Sequence, residues 1–337
     1  MARVLVTGAS GFIGAHLAAA LAARGDEVAC LVRASSSLAR LEGVPVRPVL
    51  GDCTDPSSLA SAVAETDQVY HLAGVTKSLS IEGFRRVNEL GVANLVEACA
   101  RQTSPPTVVV VSSLAAAGPA PADRLRHEDD PPQPVSRYGR SKRAGELAAQ
   151  AWAHQVPISV VRPPIVFGEG DTSMLEMIRP IMRLGVHAVP GRGRARFSLV
   201  HAADLVQALL LAAERGVRLE PPSEGQHSST GYYYVAADEH PTYGDLGRLV
   251  AAAVGRRVLV LPLPPAATWI GGAGSELLWR MTGRSRIFNL DKAREALAGS
   301  WACTPERARE QLGFAPAADL PSHMQRTIDW YRAQGWI

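Results

Sequence analysis

The chain has 337 residues, 47% of them hydrophobic and 20% charged, with a formal net charge of +3. That length suits a large core with an appended lobe, and so small a net charge implies neither nucleic acid nor an anionic membrane as a partner, while leaving room for an anionic cofactor. Cys30, Cys53, Cys99 and Cys303 lie far apart without CxxC or Cys/His spacing, which argues against metal binding and a disulfide framework and for the reduced thiols of a cytoplasmic protein. The N-terminus reads as a strand and not as a signal peptide. No long apolar window survives without charge or proline, and the nearest, 258–279, is broken by Pro262, Pro264 and Pro265.

In chain order, residues 3–6 form a short apolar run ahead of a glycine-rich turn. Phe12, Ile13, Leu17 and Leu21 then recur at helical spacing up to Gly25, a capping position. Residues 28–32 and 44–50 read as the second and third strands. Asp55 and Pro56 supply an N-cap and a proline at the first helical position, starting a helix through Leu59 and Val63. A strand is predicted over 69–72 and a helix over 84–100. Residues 108–111 are a continuous β-branched run of the kind buried on both faces of a parallel sheet. The proline-rich stretch 117–134 reads as a loop over the carboxyl edge of that sheet, followed by a helix at 138–152 and a sixth strand at 158–161. The alternation predicts an α/β fold, a doubly wound parallel sheet. Residues 1–165 form its dinucleotide-binding domain, and about 195–215 returns to it. Residues 166–337 are expected to build mainly a smaller substrate-binding lobe above the strand ends. To that lobe belong a strand at 232–236 and helices at 243–254, 305–312 and 324–332.

The turn TGASGFIG at 7–14 lies between the first strand and an amphipathic helix, where a dinucleotide pyrophosphate binds. Gly8 permits the tight turn, Gly11 lets the backbone approach the phosphates, and Gly14 lets helix and sheet pack closely. The amides opening the helix, at Phe12 and Ile13, face the anion. The second strand ends at Arg33, with Ser35, Ser36 and Ser37 following. A guanidinium there suits the 2′-phosphate of NADP(H), where NAD(H) would call for an acidic residue; NADP(H) is preferred and NAD(H) remains possible. Asp52 and Cys53 close the third strand near an adenine position. Leu72, Ala73 and Gly74 follow the fourth with small residues that admit the cofactor.

Tyr138 and Lys142 stand four residues apart and share a helical face. A lysine near a phenol lowers its pKa and can hold the nicotinamide ribose, and the phenol can exchange a proton with a substrate oxygen. Ser113, ending the fifth strand, projects at the same sheet edge and can orient that oxygen.

With these motifs in place the chain resembles the extended short-chain dehydrogenases/reductases over nearly its whole length. The matching segments are TGASGFIG, GDC at 51–53, HLAG at 71–74, VNELGVANL at 87–95, SSLAAAG at 112–118, YGRSK at 138–142, RPPIVFG at 162–168 and VHAADL at 200–205. The resemblance implies Ser113, Tyr138 and Lys142 as the catalytic set, Asn88 near the cofactor, and Pro163 with Pro164 beside the nicotinamide. It also implies a possible homodimer through the helices at 84–100 and 138–152. Sugar-nucleotide enzymes of this family carry an arginine where this chain has Phe197, and a tyrosine where it has Ala117. Both departures resemble the branch of dihydroflavonol reductases and 3β-hydroxysteroid dehydrogenases. The expected substrate is therefore a bulky, largely apolar carbonyl compound or alcohol. The alternatives are a nucleotide-sugar epimerase or dehydratase with tightly held NAD, and a dinucleotide-binding sensor without turnover. Lys77 reads as a solvated loop lysine and His201 as structural. The segment 262–281, with Trp269, Leu277, Leu278 and Trp279, reads first as a core-packed helix, then as a cavity wall or membrane contact.

Overall fold

The computed structural model describes all residues except 122–123, 192, 222–227 and 285–287, so part of the 117–134 loop lies outside the described residues. In chain order its strands are β1 (Arg3–Thr7), β2 (Glu27–Val32), β3 (Arg47–Leu50), β4 (Gln68–His71), β5 (Thr107–Val111), β6 (Ile158–Arg162), β7 (Ile165–Phe167), β8 (Val186–Pro190), β9 (Leu199–His201), β10 (Tyr232–Tyr234) and β11 (Leu259–Leu263). The helices are α1 (Phe12–Ala23), α2 (Leu59–Val63), α3 (Ile81–Arg85), α4 (Gly91–Ala100), α5 (Leu114–Ala117), α6 (Arg137–Gln150), α7 (Thr172–Leu184), α8 (Ala202–Arg215), α9 (Tyr243–Val254), α10 (Pro265–Thr282), α11 (Leu290–Leu297), α12 (Glu306–Leu312) and α13 (Leu320–Ala333).

Seven strands form one parallel sheet in the order β10-β6-β5-β4-β1-β2-β3. Successive side chains of each strand point to opposite faces, and both faces are covered. Val4, Val6, Val109 and Val161 meet α1, α8 and α12 through Leu17, Leu21, Leu209 and Leu312. Leu5, Val69, Val108 and Val160 meet α2, α4 and α6 through Leu59, Leu95, Val96 and Ala149. Burial on both sides explains why these strands read as continuous apolar runs without alternation. A separate core gathers α7, α9 and α13 around Ile178, Leu246, Val250, Met324 and Ile328.

Three expectations change. The strand expected in the lobe at 232–236 is β10, which pairs with β6 in the large sheet, and α12 packs beside it against α8. Both belong with the sheet because their apolar side chains complete its outer face. The segment 262–281 is not core-packed. In α10 only Thr268, Gly272 and Trp279 are buried, leaving most of its apolar residues in solvent. The helix expected at 84–100 begins earlier, as α3, and passes through a π-helical stretch, Arg86–Leu90, before α4.

Candidate active site

The turn between β1 and α1 has no space for side chains. Gly8 has φ +72°, and a Cβ there would lie 2.7 Å from the Leu72 carbonyl carbon and the Ala73 nitrogen. A Cβ on Gly14 would stand 2.2 Å from the Gly8 oxygen. Gly11 caps α1 without a side-chain bond, and no acidic residue stands in the first turn. The opening amides at Phe12 and Ile13 and the positive helix end are thus left for an anion. These features fit a dinucleotide pyrophosphate. Arg33, just past β2, is exposed, and its guanidinium has no partner among the described residues. Its amide donates to Ser36 Oγ at 3.1 Å.

Other expected cofactor contacts turn inward. Asp52 accepts the Thr54 amide at 2.8 Å. Cys53 is buried in the core, its thiol pushed up to about 12 by burial, so it offers a groove no side chain. Asn88 lies on the π-helical stretch and is fully engaged. Its Oδ1 accepts the Val75 amide at 2.8 Å, while Nδ2 donates to the Val75 carbonyl and Ser141 Oγ, both at 2.9 Å. The side chain thereby ties the loop through Leu72, Ala73 and Gly74 to α6. Pro163 is buried with its carbonyl bonded to the Leu114 amide at 2.9 Å, and of the pair it is Pro164 that reaches the cavity.

Ser113 caps α5, its Oγ accepting the Ala115 amide at 3.2 Å. Ser136 caps α6 through the Gly139 amide at 2.8 Å, and Gly139 lets α6 approach α5, since a Cβ there would lie 2.3 Å from the Ala115 oxygen. This close contact brings Tyr138 beside Ser113, whose hydroxyl lies near enough to favour the ionised phenol. Both line a cavity of about 470 Å³ walled by Ile165, Val166, Phe197, Tyr243 and Trp301. Burial raises the phenol above its ordinary value, opposed by the Lys292 charge and the nearby Ser113 hydroxyl. Lys142 Nζ donates instead to the Val111 carbonyl at 2.7 Å, and burial pushes its pKa down to about 8. The cation expected at the phenol is thus supplied here by Lys292, 5.3 Å from the Tyr138 ring centroid.

Several site residues carried no readable sequence signal. Asp291, on α11, accepts the Arg137 and Tyr138 amides at 2.8 and 3.0 Å, so the lobe itself caps the start of α6. Lys292 follows it and pairs with Glu295 at 2.6 Å. Lys77 lines the cavity instead of being fully solvated. Beneath Lys142, the fully buried Glu146 accepts Ser112 Oγ at 2.5 Å, Arg162 Nε at 2.8 Å and Nη2 at 2.7 Å, and Arg143 Nη1 at 2.9 Å. The four-residue step from Lys142 to Glu146 was the one available clue to this network. His201 caps α8, contacts Glu169 at 3.2 Å and stacks on His323 with ring centroids 4.2 Å apart.

Residues 4–224 match the model of the NAD dependent epimerase/dehydratase family. The chain belongs to that family. It is an extended short-chain dehydrogenase/reductase, an oxidoreductase-type enzyme that uses a nicotinamide dinucleotide. Among similar family members is a ceramide reductase of Caulobacter vibrioides, 31% identical over 99% of this chain and 96% of its own. Another is a ketoreductase of Stigmatella aurantiaca that bears the name of 4-hydroxy-2-methyl-3-oxo-4-farnesyl-3,4-dihydroquinoline-1-oxide, 29% identical over 93% of this chain and 92% of its own. The UDP-glucose 4-epimerase of Thermus thermophilus, solved with NAD, superposes with a TM-score of 0.74 at 25% identity, covering 98% of this chain and 99% of its own.

Proposed function

We propose that this enzyme interconverts a ketone or aldehyde and an alcohol on a bulky, largely apolar small molecule, with NADP(H) as the preferred cofactor. The observation that carries this reading is the cavity. It joins Ser113 and Tyr138 to an apolar wall in which Phe197 stands where a diphosphate-binding arginine would be needed. Arg196, next in sequence, is exposed and outside that lining. A diphosphate would lose its water there without a matched partner. The reductases among the family relatives point the same way.

Gly8, Gly11, Phe12, Ile13 and Gly14 would hold the pyrophosphate, Arg33 the 2′-phosphate, and Leu72, Ala73, Gly74 and Lys142 the nicotinamide half. Bound there, the nicotinamide supplies or accepts the hydride. Ser113 holds the substrate oxygen against the phenol, and Tyr138 gives its proton to that oxygen in the reductive direction or receives it in the other. A phenol raised by burial stays protonated at neutral pH, which suits the donor role. The polar loop lysine Lys77 and the Lys292–Glu295 pair stand at the cavity wall and orient the polar end of the substrate.

The test is a screen of aromatic and alicyclic carbonyl compounds, following NADPH absorbance, beside calorimetry with UDP and UDP-sugars. Stoichiometric NADPH oxidation with at least one carbonyl compound and no UDP binding at millimolar concentration is expected. Saturable micromolar binding of a UDP-sugar, with NAD copurifying, would replace this reading with an epimerase.

A further inference from the structure

Helix α10 exposes the side that a helix on a protein surface normally makes polar. Its buried residues Thr268, Gly272 and Trp279 share one face. The opposite face carries Ala266, Ile270, Ala273, Leu277 and Met281 and no charge. Ile270 is 73%, Leu277 58% and Met281 74% exposed. The strand leading into it, β11, adds exposed Leu259 and Leu261, and Leu184 at the end of α7 lies beside it, the Leu259 amide bonding the Gly185 carbonyl at 2.7 Å. An exposed apolar helix face of this kind marks an interaction site.

The charge around it is one-sided. Across α7, β11, α10 and the residues joining or following them stand Arg179, Arg183, Arg256, Arg257, Arg280 and Arg284, against only Glu176 and Glu276. Glu276 is paired with Arg280 at 2.8 Å. The exposed Arg183, Arg256, Arg257 and Arg284 have no partner among the described residues. The whole-chain charge of +3 hides this concentration.

We propose that this face docks reversibly on an anionic phospholipid bilayer, with α10 lying in the interfacial plane. No helix among the described residues is long and apolar enough to cross a membrane, and an apolar stripe with arginines beside it is the form of an in-plane contact. A second copy of the chain related by a two-fold axis would bring the same unpaired arginines together, whereas lipid phosphates supply the opposite charge. The flank of α10 also reaches the outer side of the cavity wall. Gly271 of α10 lies against Phe288, to which a Cβ there would stand 3.6 Å away, and Phe288 lines the wall shared with Ser113 and Tyr138. An apolar substrate dissolved in lipid therefore meets the cavity at the edge of the docked surface. This last step rests on the proposed substrate class; the docking itself does not.

The experiment is flotation of the purified full chain with phosphatidylcholine vesicles, with and without phosphatidylglycerol, in the absence of cofactor and substrate. Binding to the phosphatidylglycerol vesicles, weakened by salt, is expected. Arg256→Gln and Arg257→Gln should weaken it about fivefold per charge removed. The triple substitution Ile270→Ser, Leu277→Ser, Met281→Ser, confined to exposed positions, should weaken it at least about tenfold while leaving turnover of a water-soluble carbonyl substrate unchanged. Failure to float with either vesicle would overturn the proposal. So would a concentration-dependent dimer that the triple substitution abolishes in the absence of vesicle binding. Neither outcome bears on the carbonyl reductase reading, which is measured separately by NADPH oxidation.

Discussion

Replacing Glu146 by alanine should destabilise the protein severely. The carboxylate has no solvent exposure, and neither does its partner Arg162. Burial works to raise the Glu146 carboxyl, but the Arg162 and Arg143 charges and the Ser112 bond hold it below the usual range. Alanine would remove all four hydrogen bonds and leave the Arg162 cation between the rings of Tyr232, at 4.3 Å, and Tyr234, at 5.9 Å. Those faces attract a cation but cannot accept its N–H bonds. Breaking one side of a buried pair costs about 3–5 kcal/mol, and that is the loss expected in urea unfolding followed by two probes. Glu146→Leu combined with Arg162→Met should recover most of it, because the second substitution removes the stranded charge. A loss below about 1 kcal/mol for Glu146→Ala, the level of an exposed pair, would refute the reasoning.

Cofactor choice should follow Arg33: NADP⁺ should bind about tenfold or more tightly than NAD⁺, the worth of a hydrogen bond to a charged group, and Arg33→Asp should reverse the order in a thermal-shift titration; equal shifts in the unmodified chain would count against the assignment. Lys142, held down at about 8 against an ordinary 10.5, makes the unfolded chain bind the additional proton between those values. Stability should therefore rise from about pH 8 to about pH 10.5 relative to a Lys142→Met variant, a gain read by unfolding at each pH; parallel curves would show that the lysine is not desolvated. Asp291→Ala should leave α6 without its partner from the lobe and lower kcat more than it weakens cofactor binding, with Asp291→Asn restoring part of the rate; an unchanged kcat would confine the residue to a structural role.

The sheet was legible in the sequence because its strands are buried on both faces and separated by amphipathic helices. The glycine turn was legible because Gly8 and Gly14 stand where any Cβ would meet backbone. Ser113 and Tyr138 could be brought to one edge of the sheet from the strand order alone. Periodicity names no partner, however. Tyr232–Tyr234 reads as a strand in any context, and only its pairing with Val160 and Arg162 puts it in the large sheet. Asp291 and Tyr138 are far apart in the chain, so no local pattern connects a carboxylate on one helix with the amides of another. Composition likewise could not tell an exposed α10 from a buried one. Its glycines and alanines allow close packing, which α10 uses on one side only.

The central claim is that Tyr138 transfers the proton, and Tyr138→Phe tests it most directly. The ring and its contact with Phe84, at 6.2 Å between centroids, would remain, and only the hydroxyl facing Ser113 and the cavity would go. Turnover of an accepted carbonyl compound should fall about 10²–10⁴-fold, with NADPH titration unchanged and Ser113→Ala less affected. Retention of more than about a tenth of wild-type turnover by Tyr138→Phe, above what loss of a general acid permits, would contradict the account.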